Sequence, residues 1–405
     1  MAKIIPFKGI FYNRQIIKNL KDVITPPYDV INTEEREKFF QKSPYNIIRI
    51  ILGKGKNRYR EAKDYFAAWQ KDKVLCQDKK KAIYLYWQKY RIKGEIKEQF
   101  GFLALLKLEN LKNSSVIPHE GTILKYREDR YKLLAATKAN FSPIFLLYQD
   151  SKQEIEKELE EDKQNYPWFS FEDEKGLRHQ VCSLTNEKKI RKLIEKIKNK
   201  NIYIADGHHR YLSALHYYQK NRRENSSFVL AYFTNVFSPS LSILPVHRFI
   251  RSEKKFEKIK SRIEKYFEVR KSKKGEIFKQ LQSHSSRHSF GLYLGDRKFF
   301  LLILKDERIM DNFADEKDLR CLDVIIAHKV LIERFFKSDE TFYFRDEESL
   351  IEKVDQEKGK SVAIFLNPIK SAQLMNICEK RKILPPKTTY FYPKIPAGLL
   401  IHRLV

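Results

Sequence analysis

The residues Asn201-Ile202-Tyr203-Ile204-Ala205 read as a buried strand, and they run straight into Asp206-Gly207-His208-His209-Arg210; Tyr211-Leu212-Ser213-Ala214-Leu215 then continues with helical spacing. A strand, a sharp glycine turn and a helix in immediate succession commit this part of the chain to an α/β arrangement, since the strand and the helix must bury their apolar sides against each other. The same unit gathers chemistry. Glycine lets the backbone turn and approach a ligand closely, and the helix that follows presents unpaired N–H groups and a partial positive charge, which together make an anion site. Arg210 adds a planar fork for phosphate oxygens, and His208 and His209 add hydrogen-bond donors. Asp206 is the odd charge: beside phosphates it suits a Mg²⁺ ligand or a group that orients a hydroxyl nucleophile, and otherwise a helix N-cap. A purely structural alternative has Asp206 capping, Gly207 turning and both histidines on the surface.

The rest of the chain carries the same alternation. Asn32 followed three residues later by Glu35 predicts a capped helix running to about Phe40, and a second helix is expected near 57–71. Residues 82–108 are dense in Tyr, Ile, Phe and Leu and broken by Lys93-Gly94-Glu95, which predicts a long β-ribbon. Further helices are expected at 127–138, near 151–163 and at 186–200, with strands at 144–148 and 228–233. Beyond 250 the pattern predicts helices near 254–266, 275–282, 318–335, 346–356 and 369–380, and strands near 289–304 and 361–366. The fold class is mixed α/β (α+β). With 405 residues, three segments are expected: an N-terminal arm with helices and β-ribbon (1–110), a catalytic core (111–250) and a C-terminal α/β domain (251–405).

Composition narrows the function classes. Four scattered cysteines, Cys76, Cys182, Cys321 and Cys378, form no CxxC pair, which argues against a zinc ribbon or redox dithiol and fits a reducing compartment. No window approaches the roughly 18 apolar residues of a membrane helix, so a cytoplasmic protein with no membrane partner is expected. With 80 Lys and Arg against 52 Asp and Glu, the net charge is +28. Much of the excess lies in helices such as 186–200, where Ile190, Leu193, Ile194 and Ile197 form a core stripe and the lysines a solvated face. Nucleic acid therefore stays an open partner and not the expected one.

Other polar clusters join the candidate list. Val116-Ile117-Pro118-His119-Glu120-Gly121-Thr122 sets a His-Glu pair between a strand and a helix, and read alone it is as compatible with a hydrogen-bonded turn. Tyr28 and Asp29, after Pro26-Pro27, are candidate substrate contacts. His247 and Arg248 in Pro245-Val246-His247-Arg248, and Lys387 and Thr388 in the rigid Lys387-Thr388-Thr389-Tyr390 loop, are candidate phosphate contacts. A zinc-type hydrolase using His119, His208, His209 and His247 is disfavoured, because helical neighbours 208 and 209 point about 100° apart.

Taken in order, Pro118-His119-Glu120, a helix, a strand entered by Pro143-Ile144, and a strand ending in Asp206-Gly207-His208-His209-Arg210 resemble the ParB/sulfiredoxin fold, and within it the free serine kinases. Over its full length, including Pro6-Phe7-Lys8-Gly9, Pro26-Pro27-Tyr28-Asp29-Val30 and the segment from Pro385 to Lys394, the chain resembles domain-of-unknown-function family 1015. The kinase resemblance, confined to about 116–235, implies transfer of a phosphoryl group from ATP or ADP, with Mg²⁺, to the hydroxyl of a small molecule, free L-serine first. It also implies that Glu120 is the base within a catalytic set of Glu120, His119 and Asp206, and that Gly207, His208, His209 and Arg210 hold phosphate. The ParB side of the fold implies the alternative, a regulator that binds nucleotide and nucleic acid. A DNA module should then follow the His-His-Arg helix, where 228–233 reads as a strand. Sulfiredoxin-like chemistry needs a cysteine in the phosphate loop, and this loop has none. The acceptor, the donor nucleotide and the oligomeric state are not fixed by the sequence.

Overall fold

A computed structural model describes residues 1–404 other than 93, 164–168, 253, 313–316 and 358. The chain is mixed α/β and divides into two compact units, one of residues 1–242 with 391–405, the other of residues 243–390.

The first unit is built on a nine-stranded sheet. Its main path runs Val116–Ile117, Ile202–Asp206, Ile144–Tyr148, Phe228–Asn235, Glu95–Lys107, Ile83–Ile92, Arg178–Leu184, Phe169–Glu172, and Ile4–Ile5 pairs with Glu95–Lys107. The ribbon expected in segment 1–110 and the strands of segment 111–250 thus share one sheet. Ile202–Asp206 lies parallel to Val116–Ile117 and antiparallel to Ile144–Tyr148, which sets the His-Glu segment beside the glycine turn at the sheet edge.

Side-chain alternation explains the layers. Ile83, Leu85, Phe102, Ala104, Ile144, Leu146, Ile202, Ile204, Val229 and Ala231 share one face and pack against Ile190, Leu193 and Ile197 of the Glu187–Lys198 helix and against Tyr211 and Ala214 of the His208–Asn221 helix. The intervening residues Tyr84, Tyr86, Leu103, Phe145 and Tyr232 are buried as well. Coverage of both faces is why these strands read as continuous apolar runs. Part of the second cover is the chain's end: Phe391 packs on Phe145 with ring centroids 5.8 Å apart, and Tyr392 on Tyr90 at 5.3 Å. Farther on, Ala397 bridges to Thr25, Ile401 to Ile10, and His402–Arg403 pairs with Ala139–Asn140. Gly101 lies where no side chain fits, since a Cβ there would sit 2.3 Å from the carbonyl oxygen of Phe233.

The local signals translate directly. The Asn32/Glu35 pair forms a full capping box on Thr33–Lys42, and the Ile83–Ile92 and Glu95–Lys107 strands pair residue for residue from Tyr84↔Leu103 to Ile92↔Glu95.

The second unit holds a six-stranded antiparallel sheet ordered Phe267–Ser272, Phe299–Leu304, Ser289–Tyr293, Ser361–Leu366, His247–Arg251, Thr341–Phe344. Its core gathers Phe249, Leu301, Ile303 and Phe365 with Ile277 and Leu281 of one helix and Leu350 and Val354 of another. The single strand expected over 289–304 is a hairpin, because Gly295, Asp296 and Arg297 take positive φ and turn the chain between its halves. The helix expected near 318–335 starts at Asp323 and continues from Ala327 to Phe336 in a wider, π-type winding. Among the described residues no helix is long and apolar enough to cross a membrane.

Candidate functional site

Gly207 begins the site. Its φ of +92° belongs to the region glycine favours, and its missing side chain has a specific use. Arg210 folds back across it, so an ideal Cβ on Gly207 would lie 3.0 Å from the Arg210 guanidinium. From there one Arg210 nitrogen, Nη2, donates to Asp206 Oδ2 and the other, Nη1, to the carbonyl oxygen of Pro143. The second Asp206 oxygen, Oδ1, accepts from Lys394 Nζ, 188 positions away in sequence. Side chains of Arg210, Asp206 and Lys394 are only 12, 14 and 8% exposed. Two cations on one carboxylate leave a net positive charge at the start of the His208–Asn221 helix, where its unpaired N–H groups add to the same field.

Gly207→Ala is therefore expected to cost about 1–2 kcal/mol from backbone strain alone, with further loss as Arg210 is pushed off Asp206. Chemical denaturation of the two proteins measures this, and an unchanged midpoint contradicts the backbone argument.

The His-Glu segment meets this turn. The backbone N–H of His119 donates to His208 Nε2 at 3.4 Å, and the two rings stand edge to face with centroids 4.8 Å apart. His119 Nδ1 donates to the carbonyl oxygen of Ile204 at 2.7 Å. That bond places the proton of a neutral ring on Nδ1 and leaves Nε2 as an acceptor, 3.8 Å from Glu120 Oε2. His209 turns the other way, accepting at Nε2 from the Ile123 N–H (2.9 Å) with its ring against Tyr126. Glu120, His119 and the Asp206–Arg210 turn, about 90 residues apart in sequence, are thus brought to one place.

Burial sets the charge states. It pushes the His119 imidazole down to about 4, outweighing the pull of the Ile204 carbonyl, and it drives His208 well below the usual histidine value, helped by neighbouring His119. Both rings are uncharged at neutral pH. Net cationic charge at the turn accordingly comes from Arg210 and Lys394, while the histidines contribute neutral hydrogen bonds. The sign of the pH effect follows. An unfolded histidine titrates near 6.5, so as pH falls below that value the unfolded chain takes up protons that the folded chain refuses. Stability should drop as pH falls below about 6.5, with the His119 share levelling off below about pH 4 and amounting to a loss on the order of 1–2 kcal/mol by pH 5. Denaturant unfolding at pH 7, 6 and 5 reads this out; a slope identical in His119→Gln contradicts it.

Tyr28 reaches the same neighbourhood from the N-terminal arm. It lines a small cavity, about 50 Å³, with Arg210, Arg130, Ser142 and Ser213. Arg130 lies over its ring at 3.8 Å. Burial raises the Tyr28 phenol against the opposing pull of Arg130 and Arg210, so it stays protonated and can donate. Asp29, next to it, is exposed.

The remaining candidates belong to the second unit. Arg248, 1% exposed, donates to His328 Nε2 (3.0 Å) and to the carbonyl oxygens of Val246 (2.6 Å) and Lys387 (3.2 Å). His247 Nδ1 accepts from the Leu366 N–H, Thr388 Oγ1 donates to the Pro385 carbonyl, and Lys387 adopts a φ of +62°.

Metal binding can be weighed from the donor set. Among the described residues no group of three or more His, Cys, Asp or Glu side chains is placed to hold a metal ion. Asp206, the carboxylate expected to hold Mg²⁺, gives its oxygens to Arg210 and Lys394. In this arrangement it does not fit that role.

Lys394 was not legible as a site residue, although Tyr392-Pro393-Lys394 stands out as a rigid polar segment. Nothing local ties it to Asp206. The Pro143 carbonyl escapes for the same reason, since a backbone oxygen leaves no trace in residue type.

Residues 4–325 match the model described as protein of unknown function, DUF1015, and the chain belongs to that family. Solved structures that resemble it include a conserved hypothetical protein from Pyrococcus furiosus, 16% identical, covering 72% of this chain and 92% of that one with a TM-score of 0.35. A free serine kinase in complex with AMP is 14% identical over 68% of this chain and 83% of its own, with a TM-score of 0.34. SbnI with a C-terminal truncation, from Staphylococcus aureus, is 10% identical over 72% and 84%, with a TM-score of 0.38. No curated protein matches.

Proposed function

We propose that the first unit is a nucleotide-dependent small-molecule kinase that moves a phosphoryl group from ATP or ADP to a hydroxyl, with free L-serine as the first acceptor to test. The observation that carries this reading is the meeting of the Glu120-His119 pair with the Gly207 turn, which sets a carboxylate beside an anion-attracting helix start. Phosphoryl transfer asks little more of a protein than alignment and charge neutralisation. In the proposed step the acceptor hydroxyl loses its proton to Glu120 as its oxygen bonds to phosphorus, and the bond from phosphorus to the bridging oxygen of the nucleotide breaks. Charge on the departing nucleotide is met by the helix N–H groups, Arg210 and Lys394. His119, neutral and with Nε2 unprotonated, leaves the Glu120 carboxylate its basicity where an imidazolium would have lowered it. Tyr28 and Asp29, with the Tyr28 phenol able to donate, bind the polar end of the acceptor. Exposed Ile123 and Tyr126 beside His209 offer an apolar surface for the nucleobase. No step here is routed through Asp206-bound metal; Mg²⁺ is proposed only as the nucleotide's own counter-ion.

The test is incubation of purified protein with ATP or ADP, Mg²⁺ and a pool of hydroxyl-bearing metabolites that includes serine, followed by mass spectrometry. A phosphorylated acceptor that depends on nucleotide is the expected result, and its absence with both nucleotides retires the kinase reading.

A further inference from the structure

The sheet of residues 243–390 ends in two edge strands, and the sequence treats them differently. An edge offers its unpaired N–H and C=O groups to any other strand, so edges are normally guarded by charge, proline or a bulge. Phe267–Ser272, at one end, follows this rule: Glu268, Arg270 and Lys271 take three of its six positions. Thr341–Phe344, at the other, carries no charge at all, in a chain with 80 lysines and arginines. Its inner side pairs with His247–Arg251, from Ile250↔Thr341 to His247↔Phe344, and among the described residues no strand pairs with its outer side. Phe342 and Tyr343 stand 43 and 40% exposed on it, one on each face of the sheet. Two adjacent aromatics on an unguarded edge are the pattern of a strand-pairing surface and not of a solvated one.

We propose that Thr341–Phe344 is the contact surface for a second copy of this chain, the two strands joining antiparallel about a two-fold axis so that their sheets become continuous. The register follows from symmetry. An axis that makes two edges antiparallel stands perpendicular to the sheet and leaves each residue on its own face, and directly opposed residues share a face. Phe342 can therefore meet Phe342 or Phe344 of the other copy, and never Tyr343. Two registers keep the most strand residues paired. Centring on Phe342 sets Tyr343 opposite Thr341 and Arg345 opposite Asp339, twice over by symmetry. Centring on Tyr343 sets Asp346 opposite Glu340, two like charges, and leaves Arg345 opposite Thr341. Charge selects the first. Asp339 and Arg345 are both exposed, with Arg345 laid over the Tyr390 ring at 4.4 Å. Packing favours the same register: the Phe342 ring lies against Phe249 with centroids 5.9 Å apart, Phe249 belongs to the core of this unit, and Phe342 of a second copy extends that row of rings across the axis. Four residues a side bury little surface, so the dimer is weak and concentration-dependent. The proposal is independent of the catalytic reading of the first unit.

Sedimentation velocity of the full chain over a wide range of concentration tests this, with circular dichroism to confirm that each variant keeps its fold. Expected is a monomer–dimer equilibrium whose dissociation constant rises by about 10-fold or more in Phe342→Lys. Arg345→Asp and Asp339→Arg should each weaken the dimer by about 3- to 10-fold, because each sets like charges opposite one another at both ends of the paired strands. The double variant carrying Asp339→Arg and Arg345→Asp should restore it, since the two charges then oppose each other with their signs exchanged. That compensation is the outcome a merely local role of either residue does not produce. A chain that stays monomeric at every concentration leaves the edge to the strand of a different protein and overturns the proposal. A dimer indifferent to Phe342→Lys, or charge reversals that do not compensate, overturns it equally.

Discussion

Replacing Glu120 by Gln is expected to slow phosphoryl transfer by about 10²–10⁴-fold while leaving nucleotide affinity within a few-fold of the parent, because the change removes a proton acceptor and little else. Geometry makes this substitution clean. The glutamine keeps the shape of a side chain that is 14% exposed, and its amide, unlike the carboxylate, is uncharged beside His119 Nε2, 3.8 Å away. The fold should therefore tolerate the variant, and circular dichroism with denaturant unfolding checks that it does. Single-turnover kinetics and nucleotide titration then give two numbers. A drop in the first alone supports the base. A parallel drop in both assigns Glu120 to holding the site together, with His119 and the Ile204 carbonyl as the framework it supports.

How far the sequence reached depends on the range of the interaction. Where a few neighbouring residues decide, it was legible: Asn32 with Glu35 capped the Thr33–Lys42 helix as expected, Ile144–Tyr148 was read to the residue, and the strand, turn and helix around Gly207 formed as a unit. The strands that escaped are those whose residues carry little period-two apolar signal. Phe267–Ser272 holds three charged residues, and Thr341–Phe344 is a partly exposed edge. His247 and Arg248 were read as polar contacts in Pro245-Val246-His247-Arg248, whereas they open the strand His247–Arg251, because Arg248 is buried by hydrogen bonds to carbonyls that no local pattern announces.

The site divides along the same line. His119, Glu120 and residues 206–210 announce themselves by type and spacing, whereas Lys394 enters by the return of residues 391–404 to the first unit. The two motifs were expected to meet because a base and a phosphate cradle must face each other across the acceptor hydroxyl; the strand pairing of Val116–Ile117 with Ile202–Asp206, which brings them side by side, is a long-range contact that their own residues do not announce. The charge state of the histidines lay beyond the sequence, since it is set by burial.

Arg210→Ala should abolish nucleotide-dependent activity at both low and moderate salt, by about 10²–10³-fold or more, and it is the variant that separates the kinase from a nucleic-acid-binding regulator. The argument starts from the net charge of +28. Lysines on solvated helix faces attract any polyanion, so the protein should bind DNA weakly, without sequence preference, and should lose that binding steeply as salt rises through counterion release. Arg210 is a different kind of charge: its side chain is 12% exposed and clamped between Asp206 and the Pro143 carbonyl. Salt screens such a group little. Removing it leaves Asp206 with Lys394, takes one positive charge away from the helix start, and removes the fork that meets phosphate oxygens. Bulk DNA affinity should hardly change, since one buried cation among 80 basic residues adds little to a surface field. After the His208–Asn221 helix the chain runs through a short Glu224–Ser227 turn of helix into the Phe228–Asn235 strand, as the sequence pattern predicted. Activity and DNA affinity measured side by side in the parent and Arg210→Ala, at 50 and 200 mM salt as orders of magnitude for the screening range, decide the matter. Catalysis untouched by Arg210→Ala with DNA binding weakened would hand the site to the regulator.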